Sequence, residues 1–188
     1  LPPEIFWNRI VISETGKYPM VTKQMYPVLC NHCKEAACVD VCPTGATTKR
    51  EDGIIMIDYN KCVGCRYCVI ACPYQQRTFY ADSKKEYFPG QGLTELEIIG
   101  QKLYPLQEGT VVKCIFCMER IDDGLKKGLK PGVDREATPA CVITCPAKAR
   151  YFGDLDDPYS EVTSLIKEKR GFQLHPEFGT DPSVYYIS

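Results

Sequence analysis

The apolar positions of this chain fall into short runs separated by turns, and each run predicts a small element. Ile10, Val11 and Ile12 predict a strand, with a turn at Thr15-Gly16-Lys17-Tyr18-Pro19 after it. Ala46-Thr47-Thr48-Lys49 and Ile54-Ile55-Met56-Ile57 flank Glu51-Asp52-Gly53, which predicts a hairpin. Thr94 to Leu103 reads as a short helix beyond the break at Pro89-Gly90-Gln91-Gly92. Val111-Val112-Lys113 and Ala147 to Phe152 read as two strands that pair with each other. After Asp157 a helix start is signalled, with Asp157 as cap, Pro158 in the first helical position and Gly171 at the far end. Val162, Leu165 and Ile166 form its apolar face. The tail from Phe172 to Ser188 has too little period to fold alone and is expected to lie extended across another surface, of its own chain or of a partner.

Composition narrows the class. No run approaches 18 apolar residues, so no spanning helix is expected, and no charged segment leads into an apolar one as in a signal peptide. Lys plus Arg is 23 against 24 for Asp plus Glu, a net charge of −1 that lacks the basic excess of a nucleic-acid binder. The unusual number is 12 cysteines in 188 residues. They form three groups of four. Cys30, Cys33, Cys38 and Cys42 are spaced C-x2-C-x4-C-x3-C, and Cys62, Cys65, Cys68 and Cys72 are spaced C-x2-C-x2-C-x3-C. The third group is split: Cys114-x2-Cys117, then 23 residues, then Cys141-x3-Cys145. A Cys-Pro dipeptide closes all three groups, at Pro43, Pro73 and Pro146.

Three chemistries use clustered cysteines. Disulfides inside C-x2-C runs would close loops too short to constrain the unfolded chain. Structural zinc takes two short pairs set far apart, which fits the third group but not four thiols within eleven residues. The second run is the bacterial ferredoxin pattern for [4Fe–4S] clusters, in which the fourth cysteine ligates the other cluster. That crossing assigns Cys30, Cys33, Cys38 and Cys72 to one cluster and Cys62, Cys65, Cys68 and Cys42 to a second. Cys114, Cys117 and Cys141 supply three ligands of a third; Cys145 either completes it or belongs to a fourth cluster. The ligated metal is therefore iron, and at least three clusters are expected.

The remaining chemistry is sparse. His32 lies between two cysteines of a complete set, so it reads as a hydrogen-bonding neighbour or a solvent-facing residue, and His175 as a surface residue. No G-x-G-x-x-G or P-loop supports nucleotide binding, and no catalytic residue is expected. Arg66 and Lys61, beside Cys65 and Cys62, are candidates for raising a cluster potential, and Tyr67 and Tyr74 for shielding one from water. Each cubane with four thiolates carries roughly −2, so three would bring the net charge to about −7 and make partner docking salt-sensitive.

The sequences Cys30-Asn-His-Cys-Lys-Glu-Ala-Ala-Cys-Val-Asp-Val-Cys-Pro and Cys62-Val-Gly-Cys-Arg-Tyr-Cys-Val-Ile-Ala-Cys-Pro-Tyr are distinctive. So are Lys113-Cys-Ile-Phe-Cys-Met-Glu-Arg and Pro139-Ala-Cys-Val-Ile-Thr-Cys-Pro. Together they resemble the electron-transfer (beta) subunit of the dimethyl sulfoxide reductase superfamily. The resemblance spans essentially the whole chain and is specific to the subunit, not to the substrate. It implies an α+β fold: two ferredoxin-like lobes with short β-hairpins and small helices around [4Fe–4S] clusters, loop-rich, with an extended C-terminal tail. The segments would be an arm at 1–29, a first lobe with two clusters at 30–73, an insertion at 74–110, a second, incomplete lobe at 111–152, and a C-terminal helix and tail at 153–188.

The resemblance further implies a relay of single electrons between a molybdenum or tungsten bis-pyranopterin catalytic subunit and a membrane quinone-reactive subunit or soluble carrier. The alternative is the iron–sulfur subunit of a formate dehydrogenase or hydrogenase complex. Such subunits usually carry four cysteine motifs. The one that normally comes first is absent, so an N-terminal segment of about 20–30 residues, carrying C-x2-C-x2-C-x3-C, is expected to precede Leu1. Its first three cysteines would join Cys145, and its last would complete the third set. Relatives reach the periplasm with an exported catalytic subunit, so a membrane-associated complex on the periplasmic side is favoured over the cytoplasm.

Overall fold

The computed structural model describes residues 1, 4–81 and 86–187. Pro2 and Pro3 of the expected arm, residues 82–85 of the expected insertion and Ser188 of the tail lie outside them. Two compact units divide the chain, and both cut across the consecutive segments expected from the sequence. The first holds Leu1–Cys30, Ala37–Lys49 and Ile55–Cys114; the second holds Asn31–Ala36, Arg50–Ile54 and Ile115–Ser188.

In the first unit the stretch expected to be an arm carries a hairpin. β1 (Asn8–Lys17) and β2 (Met20–Leu29) pair antiparallel, with Ile12 opposite Met25 and Lys17 opposite Met20. The predicted turn proves shorter, because Thr15, Gly16 and Lys17 stay in the ladder. Gly16 has φ +98, and a Cβ there would meet the Met20 carbonyl oxygen at 2.1 Å. β2 escaped prediction because Thr22, Lys23 and Gln24 carry no apolar alternation: much of this ribbon is exposed on both faces. α1 (Ala37–Asp40) leads into β3 (Thr47–Lys49), which pairs with β4 (Ile55–Ile57) in the expected Asp-Gly hairpin, Thr47 opposite Ile57. α2 (Tyr67–Ala71) follows.

β5 (Thr78–Tyr80) pairs with β6 (Thr110–Val112), Phe79 opposite Val111. This corrects the expected pairing of Val111-Val112-Lys113 with Ala147 to Phe152. The latter stretch forms no strand; it opens in a turn at Pro146 with Lys148 at φ 48. β5 wins because it buries more. Tyr80 and Val112 pack with Ile5, and Val111 packs with Ile57 and Cys68, all under one-tenth exposed. α3 (Glu95–Leu103) starts where expected. Thr94 accepts the Glu97 N–H while Glu97 accepts the Thr94 N–H, a capping box.

The second unit contains α4 (Met118–Lys126), within the 23 residues that separate Cys117 from Cys141 and that carry glycines and charges of both signs. Its buried face is small, Ile121 and Gly124, and Gly124 sits so close to Ala137 that a Cβ would approach Ala137 Cβ to 2.3 Å. Arg120 donates to the Thr138 and Arg135 carbonyls at 3.0 and 2.8 Å, which ties the loop to the helix. α5 (Ala140–Ile143) carries Cys141. α6 (Glu161–Glu168) begins later than predicted. The cap is Ser160, whose hydroxyl accepts the Thr163 N–H at 3.3 Å. Asp157 instead accepts the Tyr159 N–H at 2.9 Å, closing a turn ahead of the helix. At the far end the left-handed residue is Arg170, and the Gly171 N–H reaches the Ile166 carbonyl at 2.8 Å. The tail lies along its own chain. Lys34 and Glu35 N–H groups donate to the Asp181 and Thr180 carbonyls, and the Ser183 N–H to the Asn31 carbonyl.

Candidate iron–sulfur sites

All twelve cysteines are outside disulfides. Each of the three motifs is built from the same two backbone devices. The residue before the second cysteine of every C-x2-C is left-handed: His32 at φ 43, Gly64 at φ 66 and Phe116 at φ 54. Such a residue reverses the chain and turns successive N–H groups toward one side, a concavity suited to anions. Each Cys-Pro closes a turn in which the third residue on is left-handed and returns its N–H to the cysteine carbonyl. Gly45 donates to Cys42 at 3.2 Å, Gln75 to Cys72 at 3.1 Å and Lys148 to Cys145 at 3.1 Å. Between the two devices a short helix carries the third cysteine, Cys38 in α1, Cys68 in α2 and Cys141 in α5.

In the first unit Cys42, Cys62, Cys65 and Cys68 line one pocket, whose wall also includes Thr44, Thr47, Ile57, Gly64, Arg66 and Val111. Cys42 thus stands with the second motif, not with its own. Burial opposes its ionisation, but backbone and side-chain hydrogen bonds from Thr47 and Thr44 bring the thiol down to about 7. Gly64 has no alternative here: a Cβ would meet the Gly109 carbonyl oxygen at 2.1 Å.

Cys30, Cys38 and Cys72 form a second neighbourhood in the same unit. Burial pushes the Cys38 thiol up, and Cys30 and Cys72 add to the rise, while the Arg77 charge opposes it. Cys68 is likewise raised by burial and pulled down by Arg77. Arg77 is 3% exposed; it donates to Cys38 Sγ at 3.0 Å and to Thr47 Oγ1 at 3.2 Å. Its burial would lower its pKa, yet the Cys38, Cys68 and Cys30 sulfurs hold it above the usual guanidinium value. Lys113 is fully buried and donates to the Ile55 and Cys114 carbonyls. Burial lowers its pKa, against the pull of Cys30.

The second unit brings Cys117 and Cys141 together. Burial raises the Cys117 thiol, a hydrogen bond from Ala140 N–H lowers it, and Cys141 raises it again. Cys145 Sγ accepts the Ala149 N–H at 3.4 Å. Cys33 belongs to this unit and Cys114 to the first. His32 is 2% exposed and stacked on Phe116 at 3.8 Å between ring centroids, so it does not face solvent. Asn31, between Cys30 and Cys33 in sequence, is also 2% exposed, and neither polar atom of its amide has a protein partner among the described residues. His175 is at the surface and pairs with Glu177.

The two candidate cations of the sequence differ in placement: Arg66 is in the wall of the four-cysteine pocket, whereas Lys61 is at the surface. Arg66 lies over the Phe79 ring at 4.0 Å, and Lys61 is a surface partner of Asp58 at 3.7 Å. The buried cations are Arg77 and Lys113. Their signal was available: Arg77 interrupts the strand-forming run before Phe79, and Lys113 immediately precedes Cys114. Tyr74 is buried as a shield would be, whereas Tyr67 is exposed.

The donor set suits a multi-iron cluster. Among the described residues no three His, Cys, Asp or Glu side chains converge on a single-ion position. Four thiols instead surround a pocket, with left-handed turns around it and buried cations among the sulfurs. That combination fits thiolate ligation of an iron–sulfur cluster.

A 4Fe-4S dicluster domain matches residues 21–88. The whole chain is similar to the putative dimethyl sulfoxide reductase iron-sulfur subunit of Halobacterium salinarum, 42% identical over 100% of this chain and 69% of that protein. It is 40% identical to a sulfite dehydrogenase subunit of Allochromatium vinosum, over 99% of this chain and 65% of the relative. It is 36% identical to the arsenate respiratory reductase iron-sulfur subunit of a Shewanella species, over 97% and 83%. The chain spans about two thirds of the length of most of the curated relatives it matches.

Proposed function

Because this chain belongs to the family of electron-transfer iron–sulfur subunits of dimethyl sulfoxide reductase-type molybdenum enzymes, we propose that it relays single electrons for a catalytic subunit holding molybdenum or tungsten. The other end of the relay is a quinone-reactive membrane subunit or a soluble carrier. No helix among the described residues is long and apolar enough to cross a membrane. The proposed setting is a membrane-associated respiratory complex, on its periplasmic side. Two ferredoxin-like lobes hold the clusters, the second incomplete.

The observation that carries this reading is the gathering of Cys42 with Cys62, Cys65 and Cys68 around one pocket. Thiols from two motifs meet there, as crossed ligation requires. These four hold one cluster. Cys30, Cys33, Cys38 and Cys72 hold another, and Cys114, Cys117 and Cys141 supply a third, with Cys145 completing it or joining a fourth. When bound, a [4Fe–4S] cluster takes up and releases one electron with little ligand movement. The chain's own task is then to hold thiolates at fixed separations, keep water out, and set the charge around them. Buried Ile57 and Val111 beside the pocket exclude solvent; Thr44 and Thr47 donate to Cys42.

Anaerobic purification of the native complex tests this. Iron and acid-labile sulfide are expected, at about 12 irons per subunit for three clusters and about 16 for four. Dithionite reduction should give paramagnetic resonance signals of reduced cubanes, and molybdenum or tungsten should co-purify. A complex with nickel in their place, or one without iron and sulfide, overturns the proposal.

A further inference from the structure

Arg77 is a buried cation in an unusual setting. Among the described residues its hydrogen-bond partners are the Cys38 sulfur, the Cys68 sulfur and the Thr47 hydroxyl. Cys38 and Cys68 belong to different four-cysteine sets. A guanidinium never loses its proton in a protein, so at 3% exposure it needs a negative partner. Lys113, fully buried in the field of the same Cys30 and Cys38 sulfurs, sharpens the demand by adding a second positive charge. Metal-bound thiolates meet it, because coordination to iron removes the thiol proton. The planar fork of arginine suits a position that must serve two sulfurs at once, which a lysine ammonium on one flexible stem does not.

We propose that Arg77 is a positioning residue shared by two neighbouring clusters, one guanidinium bonding a sulfur ligand of each and setting both redox potentials together. The inference rests on the cluster assignment above. A fixed positive charge beside a sulfur favours the reduced, more negative cluster and so raises its potential. Held between two clusters, it raises both. It also offsets the repulsion that an electron on one exerts on an electron entering the other, keeping the two potentials close enough for transfer in sequence.

The test is redox titration of the anaerobically purified complex, followed by electron paramagnetic resonance, in R77Q and R77K. In R77Q two of the cluster potentials are expected to move negative together, with iron content unchanged. In R77K the charge remains but the fork is lost, so the two potentials are expected to move by unequal amounts and drift apart. Intact iron with only one potential moved in R77Q, or none, overturns the inference while leaving the electron-relay reading in place. If R77Q does not load iron, R77K decides: two potentials unchanged in R77K overturn the shared role. Unchanged protein without iron overturns the relay reading, and the inference with it.

Discussion

The pocket of Cys42, Cys62, Cys65 and Cys68 and the group that ends in Cys141 and Cys145 use the same backbone devices to different degrees of completion. In the first, four thiols from two motifs line one cavity, Gly64 fills the tight turn, and buried Arg77 donates to Cys68. In the second, Cys117 and Cys141 are neighbours, Cys141 is exposed, and the left-handed turn positions are taken by Phe116 and Lys148, side chains that pay for φ values glycine adopts freely. The contrast teaches that motif spacing builds a local thiol pair by itself, whereas a closed site needs a second motif folded against it.

The sharpest way to break this contrast is to remove the crossing ligand. In C42S the pocket loses a thiol contributed by the other motif, and iron is expected to fall by about four atoms per chain, measured after anaerobic purification. Full iron retention in C42S would separate Cys42 from that pocket. Next in size is the turn. G64A forces a Cβ into the Gly109 carbonyl and onto φ +66, and a loss of about 1–3 kcal/mol from the strained backbone alone is expected in thermal or denaturant unfolding. At the Cys-Pro turn of the other group the sign is expected to reverse: K148G relieves a left-handed lysine at an exposed turn and should be neutral or stabilising by up to about 1 kcal/mol.

A smaller effect belongs to the second unit. Arg50 makes two short contacts to Asp122, at 2.6 and 2.9 Å, and these hold the Asp122 carboxyl below its usual range. The pair is partly exposed, so D122N should cost about 0.5–1 kcal/mol at neutral pH. The folded pKa lies below the unfolded one. The contribution is therefore present above about pH 4 and lost as pH falls through the lowered value, and the unfolding difference between unchanged protein and D122N should narrow there. The smallest effect sharpens the contrast between buried and surface charge. K61Q, changing a lysine beside a ligand cysteine but paired at the surface with Asp58, should leave every cluster potential in place in the same redox titration.

The part of the site that is legible in the sequence is the part that cysteine spacing records. The crossed placement of Cys42 could be written from the pattern, and so could the Asp-Gly hairpin and the start of α3, whose signals are local. What stayed hidden depends on partners distant in sequence. β5 is three residues long, and nothing in Thr78-Phe79-Tyr80 names Val111 as its mate. α4 reads as loop because its buried face is only Ile121 and Gly124. For Arg77 and Lys113 the sequence shows position but not burial, since burial of a cation is decided by the sulfurs that surround it, and adjacency to a ligand cysteine alone points equally to Lys61, which is at the surface. Ser160 displaced Asp157 as a cap for a similar reason: both can accept an N–H, and the preceding turn took the aspartate.

Between the second and third cysteines the three motifs hold 4, 2 and 23 residues, yet the turn before that interval and the Cys-Pro turn after it keep the same form in each. That interval is an insertion point at which length is decoupled from ligand geometry. The 23-residue version already accommodates a helix of its own, α4, without disturbing either flanking turn. A lineage can therefore graft new surface between the ligands and acquire a different docking face, leaving the conducting centre as it was.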